Sequence, residues 1–241
     1  MPLLYIAIMR RWIVGVALAL VVIAVLAVSG YYVVNSRSFQ LAGRLVERVD
    51  TTKRIVALTL DDGPGAMTPD VLRILADANV RATFYLMGQD LAAHPEFGRA
   101  IAAAGHEIGN HTYTHRRMVF VSPETVASEV ERTDDEIRMT GYQGRITFRP
   151  PYGKKLWTLP KYLSDHDRTT VTWDVGVDTA AGATADQITA ETVDAVRPGS
   201  IILLHVMYWS WAASLAALPR IIAELHADGY RFVTVSDLIS R

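Results

Sequence analysis

The stretch "LTLDDGPG", residues 58–65, is an apolar run that stops at two adjacent carboxylates and then turns at Gly63-Pro64. Its apolar half reads as a buried strand. Asp61 and Asp62 repel each other, and neither tolerates burial without a partner. The pair therefore lies either in a solvated turn or opposite something cationic. Outward from this stretch the chain alternates. Apolar, β-branched runs recur at 55–60, 82–87, 145–148, 170–173, 201–204 and 232–235. Helical segments are predicted between them at 69–79, 95–104, 123–140, 185–196 and 213–228. The third has a defined start, with Ser122 as N-cap, Pro123 at the first helical position and Glu124 behind it. Gly105, Gly141 and Gly229 stand where helices should stop. Strand alternating with helix predicts a parallel α/β domain. Polar residues gather at the C-terminal ends of several runs (the Asp pair, Arg149, Asp174 and His205), as a (β/α) barrel displays them on its active face. A doubly wound sheet would collect them there too, and the pattern favours the barrel only slightly.

Composition excludes several classes. The 241 residues carry 24 basic and 25 acidic side chains, a net charge of -1, with no long run of either sign. Nothing points to nucleic acid, and no protein partner is implied. Cysteine is absent, so disulfides and thiolate catalysis are ruled out and any metal must be held by His and carboxylate. Residues 13–34 are 22 consecutive uncharged positions preceded by Arg10-Arg11. That is long enough to span a membrane as a helix. The arginines place residues 1–12 in the cytoplasm and the rest of the chain outside it. Arg37, Arg44 and Arg48 on the far flank weaken that orientation. Ala27-Val28-Ser29 offers a cleavage site, in which case the chain is secreted. Residues 35–52 read as a linker with room for a short helix, and 53–241 as the folded domain.

Two histidines four apart, His111 and His115 in "HTYTH", would share one face of a helix or tight helical turn, within reach of one ion. Equally, they could cap a loop. With Asp62 as third ligand the set becomes two imidazoles and one carboxylate, which leaves a coordination position for water, as hydrolytic zinc requires. In "RPPYG" two prolines hold Arg149 and Tyr152 rigidly; Arg149 is either a surface side chain or the partner of a carboxylate. His205 ends the run "IILLH" and, taken alone, is a core histidine. Asp174 and Asp178 in "WDVGVD" are loop residues on the same terms. His106 and Glu107 read as structural.

Taken in order, "TLDDG", "HTYTH", "RPPYG", "WDVGVD" and "IILLH" resemble the five motifs of the polysaccharide deacetylases, the NodB-homology or carbohydrate esterase 4 family, over residues 53–241. The resemblance implies a distorted (β/α) barrel and metal-dependent removal of N-acetyl groups from N-acetylglucosamine polymers such as peptidoglycan or chitin-like oligosaccharides. It implies zinc, or another divalent ion, on Asp62, His111 and His115. Asp61 would be the catalytic base and Arg149 its orienting partner. The Tyr152 amide would donate to the oxyanion, Leu203 would line the acetyl pocket, and His205 would be the general acid. The fourth motif departs from the family pattern: Thr179 follows Asp178 where a Trp is usual. Either Asp174 or Asp178 could then support His205. Trp209 or Trp211 could replace the missing aromatic wall, or be core or rim. Two other readings stay open: action on another C–N bond such as a cyclic amide, and a non-catalytic glycan-binding protein.

Overall fold

The computed structural model describes residues 2–180 and 182–240. Its strands are β1 (Leu45–Val46), β2 (Ile55–Asp61), β3 (Thr83–Leu86), β4 (Glu107–Asn110), β5 (Thr170–Val171), β6 (Ile201–His205) and β7 (Arg231–Val233). Every named ladder is parallel, in the order β4-β3-β2-β6, with β7 beside the first half of β2 and β1 beside β5. Single bridges carry the ring onward: Asn110 to Phe148, Phe148 to Thr170, and Val175 back to Ile202 on β6. The result is a (β/α) barrel with one side reduced to isolated bridges. The 145–148 run joins this ring through single bridges at Phe148, and the prolines at 150 and 151 keep it from extending past Arg149.

Alternation along β2 sorts its side chains. Val56, Leu58 and Leu60 face the helices in the largest core cluster. Ile55 and Ala57 point inward with Tyr85, Val171 and Ile201. Because the period is two, Thr59 and Asp61 fall on the same inward face as Ile55 and Ala57. β6 follows suit, with Ile202 and Leu204 outward and Ile201 inward. The predicted helices appear at Thr68–Asp77, Pro95–Ala103, Pro123–Met139, Ala185–Ala195 and Ala212–Ala227. Ser122 caps the third by accepting from the Thr125 amide. Short helices at Gly88–Ala93, Thr158–Asp165 and Val235–Ile239 were not predicted; only about two turns or less, they are too short to show a helical period. His106 and Glu107 are buried. The His106 Nδ1 accepts from the Ala82 amide, and Glu107 accepts from Thr83 and from Ser236.

The N-terminal helix runs Pro2–Asn35, and an 18-residue window within Met9–Asn35 has a mean hydropathy of 2.8. Leucine, isoleucine and valine are exposed along it, a surface that water disfavours and lipid accepts. Residues 35–52, expected as a linker, lie pinned on the barrel; Asn35 ends the N-terminal helix, and 36–52 contain no helix. The Lys155 ammonium donates to the Ser36 carbonyl (2.5 Å), Thr172 Oγ1 donates to the Arg37 carbonyl (2.6 Å), and β1 pairs with β5. Burial pushes Lys155 down to about 8. A polar composition suggested a free stalk here; backbone pairing, which composition does not encode, holds it in place.

Candidate active site

Asp61 is the last residue of β2 and lies in register with His205, the last residue of β6. Both sit at the C-terminal end of the barrel. Arg149 is fully buried inside it. Its Nη1 donates to Asp61 Oδ1 (2.6 Å) and Thr59 Oγ1 (2.7 Å), and its Nη2 donates to the Thr172 carbonyl (2.9 Å). The guanidinium also lies over the Tyr85 ring at 4.2 Å. These contacts satisfy a charge that would be too costly to bury alone. Burial pushes the Asp61 carboxyl above its ordinary value, while Arg149 and His205 pull it back down.

Asp62 is turned away from Asp61 by a left-handed backbone, φ 67. Its Oδ1 is 3.2 Å from His115 Nε2 and 3.6 Å from His111 Nε2. The three candidate ligand atoms all lie within 4.8 Å of one another. Ligands at zinc–ligand distances of about 2.0–2.1 Å in a tetrahedron stand roughly 3.3 Å apart, so the two Asp62 spacings suit one small cation. The chemistry of the donors agrees. His111 Nδ1 donates to the Arg149 carbonyl (2.7 Å), which leaves the Nε2 lone pair free. Burial pushes the His111 imidazole down to about 3, so it is neutral. Asp62 Oδ1 is buried and accepts no hydrogen bond among the described residues. An orphaned carboxylate oxygen facing imidazole nitrogens fits a metal and is otherwise costly.

The histidines do not share a helix face, as their spacing suggested. They occupy a loop after β4 in which Thr112 and His115 adopt left-handed φ values of 67 and 57. Two residues that the sequence reading missed hold that loop. Glu129 accepts from the Tyr113 amide (2.9 Å), the Thr114 amide (2.8 Å) and Thr114 Oγ1 (2.7 Å). The Asn110 side chain accepts from the Thr112 amide and donates to the Val130 carbonyl. Glu129 reads in sequence as one polar residue on the helix Pro123–Met139, and only the buried face it occupies gives it away.

A family description, polysaccharide deacetylase, matches residues 48–171. The chain belongs to the polysaccharide deacetylase family. Among its relatives, a peptidoglycan-N-acetylglucosamine deacetylase of Bacillus cereus is 36% identical over 189 residues, 77% of this chain and 68% of that protein. The peptidoglycan-N-acetylglucosamine deacetylase of Listeria monocytogenes is 31% identical over 196 residues, 80% of this chain but 40% of that protein. The crystal structure of a peptidoglycan N-acetylglucosamine deacetylase in complex with a naphthalenyl N-oxidanyl-benzamide superposes with a TM-score of 0.76 at 34% identity, covering 80% of this chain and 92% of the other.

The polysaccharide deacetylase motifs that the sequence located converge on one pocket of about 340 Å³. Asp61, Asp62, His111, His115, Leu203 and His205 all line it. Tyr152 stands at its rim with φ 59, and its ring lies 4.7 Å from that of His115. The two candidate aspartates of the altered fourth motif separate. Asp178 accepts from the His205 amide (2.6 Å) and from Ser214, and lies 3.2 Å from His205 Nδ1. Asp174 lies at the opposite end of β6, where it accepts from Ser200 Oγ and the Ile201 amide. Burial lowers the affinity of His205 for a proton, but Asp178, Asp61 and Asp62 outweigh that, and the net shift is upward. Trp209, expected at the substrate, is exposed and does not line the pocket. Trp211 does, stacked on His205 at 4.5 Å. The two tryptophans sit two positions apart on a 3-10 turn, which points them to different sides. Trp173 lines the pocket as well and was not singled out in the sequence.

Proposed function

We propose that this chain is a membrane-tethered N-deacetylase acting on N-acetylglucosamine residues of peptidoglycan or a chitin-like envelope glycan. Residues 53–241 form the catalytic unit and the N-terminal helix the anchor. Arg10 and Arg11 keep the short N-terminus cytoplasmic, so the barrel works in the periplasm or at the cell surface. The observation that carries the reading is one pocket holding a carboxylate paired with a buried Arg beside a carboxylate facing two imidazole nitrogens. The relatives' activities support the choice of glycan.

In this reading Asp62, His111 and His115 hold a divalent ion, with zinc preferred by the ligand types. When bound, such an ion acidifies water and polarises a carbonyl oxygen. Asp61, held by Arg149, accepts the proton of the attacking water as the water oxygen bonds to the N-acetyl carbonyl carbon. The Tyr152 amide donates to the oxyanion that forms, and Leu203 walls the acetyl methyl group. His205, whose proton the Asp178 carboxylate favours, gives it to the departing nitrogen as the C–N bond breaks. Acetate and a free amino sugar leave. Base and acid are distinct groups in distinct environments, as both steps near neutrality require.

The test uses the full chain in detergent, stripped of metal and reloaded with Zn²⁺. Acetate release is followed from N-acetylglucosamine oligomers and from purified peptidoglycan. Zinc-dependent acetate from either establishes the activity, and the faster substrate names the glycan. One bound zinc without acetate from both would sink the reading in favour of another C–N bond.

The pairing of His205 with Asp178 makes a separate prediction. A protonated His205 is the active form, so activity falls on the alkaline side as His205 loses its proton. Asp178→Asn removes the anion that raises its pKa. The alkaline limb of the kcat/KM profile is expected to move to lower pH, with zinc content unchanged. An unmoved limb would remove His205 from the acid role.

A further inference from the structure

The two loops that carry His115 and Tyr152 extend beyond the pocket as a single lip. They are joined by a bridge between Met118 and Lys155, both buried. On the pocket side of that bridge stand His115 and Tyr152, with the Arg117 guanidinium 4.9 Å over the Tyr152 ring. On the far side the same loops present Val119, Phe120, Leu156 and Trp157. Phe120 is 91% exposed, and its backbone is left-handed, φ 55. A left-handed backbone is uncommon for a bulky aromatic, and here it carries an exposed apolar ring. Trp157 is 53% exposed.

This apolar edge faces the N-terminal helix. Val119, Phe120 and Leu156 form one wall of a groove of about 470 Å³. The other wall is Leu26, Ala27, Gly30, Tyr31, Val34 and Asn35, the spacing of one helical face. The depth of that face in a bilayer follows from the helix itself. Trp12 and Tyr31 are exposed near the two ends of its uncharged stretch, nineteen positions or about 28 Å apart at 1.5 Å per residue. That is close to the thickness of a hydrocarbon core, about 30 Å, and both residue types favour its boundaries. The outer boundary then falls at Tyr31–Tyr32, and Leu26 lies about 7 Å below it. The groove therefore begins at the headgroup level and reaches into the acyl region.

We propose that the lip Val119–Phe120 with Leu156–Trp157 is a second membrane contact, seated on the headgroup–acyl boundary of the leaflet from which the helix emerges, with lipid filling the groove. The inference rests on the anchoring part of the proposed function and is independent of the chemistry. Arg116 is exposed beside the lip, where it can meet lipid phosphates. With residues 35–37 fixed to the barrel by Lys154, Lys155 and Thr172, the helix and the lip give two points of attachment. The pocket mouth is then held at the bilayer surface, and the enzyme reaches the glycan nearest the membrane.

The chain has no cysteine, so single nitroxide labels report unambiguously. Full-length Phe120→Cys, Val119→Cys, Val21→Cys and Met139→Cys are labelled and reconstituted in vesicles of phosphatidylethanolamine and phosphatidylglycerol. Collision with oxygen, which enters lipid, is compared with collision with a water-soluble nickel chelate. Val21 reports the span. Met139, exposed at the far end of a 17-residue helix, stands about 25 Å from the lip end of that helix and reports water. The expected result at 119 and 120 is a several-fold lower nickel collision rate than at 139, with oxygen collision raised. Position 120 matching 139 while 21 is lipid-embedded overturns the lip and leaves the anchor intact. Shielding of 119 and 120 from both reagents overturns it in favour of a second protein chain in the groove. Position 21 open to nickel overturns anchor and lip together.

Discussion

Asp62→Ala is expected to abolish metal binding and, with it, acetate release. Its Oδ1 is the atom that both His115 Nε2 and His111 Nε2 approach, at 3.2 and 3.6 Å, and it is buried without a hydrogen-bond donor among the described residues. Removing a partner that only orients a ligand lowers metal affinity by about 10–100-fold, and losing one of three ligands outright should exceed that. The fold should survive. Asp62 follows β2 and lies outside the Arg149 pair, so the loss is of the ion and not of the barrel. Zinc per chain by elemental analysis, with circular dichroism as the fold control, checks this. A variant that retains one zinc would show that the histidines are held together for another reason.

Asp61→Asn is expected to behave differently. It should keep the metal while kcat falls by about 10²–10⁴-fold, the range for losing a general base. Asn is close in shape to Asp and keeps one oxygen to accept from Arg149 Nη1, so positioning is largely preserved. What disappears is the capacity to take a proton. The variant also leaves the buried Arg149 without its anion, and removing one partner of a buried pair costs about 3–5 kcal/mol; the retained amide oxygen should keep the loss below that. Thermal denaturation should therefore show a lowered Tm alongside full zinc occupancy. Full turnover with zinc bound would move the base elsewhere in the pocket. The contrast between neighbours is the informative part: one Asp removes the ion, the other removes the step.

Much of this was legible before any coordinates. The run ending at Asp61, the run ending at His205 and the alternation between them are local patterns, and periodicity reports them because each strand buries its own side chains. The five motifs in order gave the family and the barrel. The sequence left alternatives open, or misled, where the decisive interaction is non-local or backbone-made. His111 and His115 have helical spacing but sit in a loop bent by two left-handed residues and tied down by Glu129 from a helix fifteen residues on. Residues 35–52 have linker composition but pair with β5, more than a hundred positions away. Trp209 and Trp211 are equivalent in sequence, and a 3-10 turn sends only Trp211 to the pocket.

The sequence by itself determined the strand-and-helix alternation, the membrane-length helix, the absence of thiol chemistry and the identity of the carboxylates and histidines at strand ends. These depend on residue type and short spacing alone. The tertiary structure alone separated Asp178 from Asp174, exchanged Trp209 for Trp211 and turned an expected linker into a fixed joint. Each of those depends on which groups meet across β6, across a turn or across the barrel wall, and such meetings arise only when the ladder closes and brings distant residues to hydrogen-bonding distance.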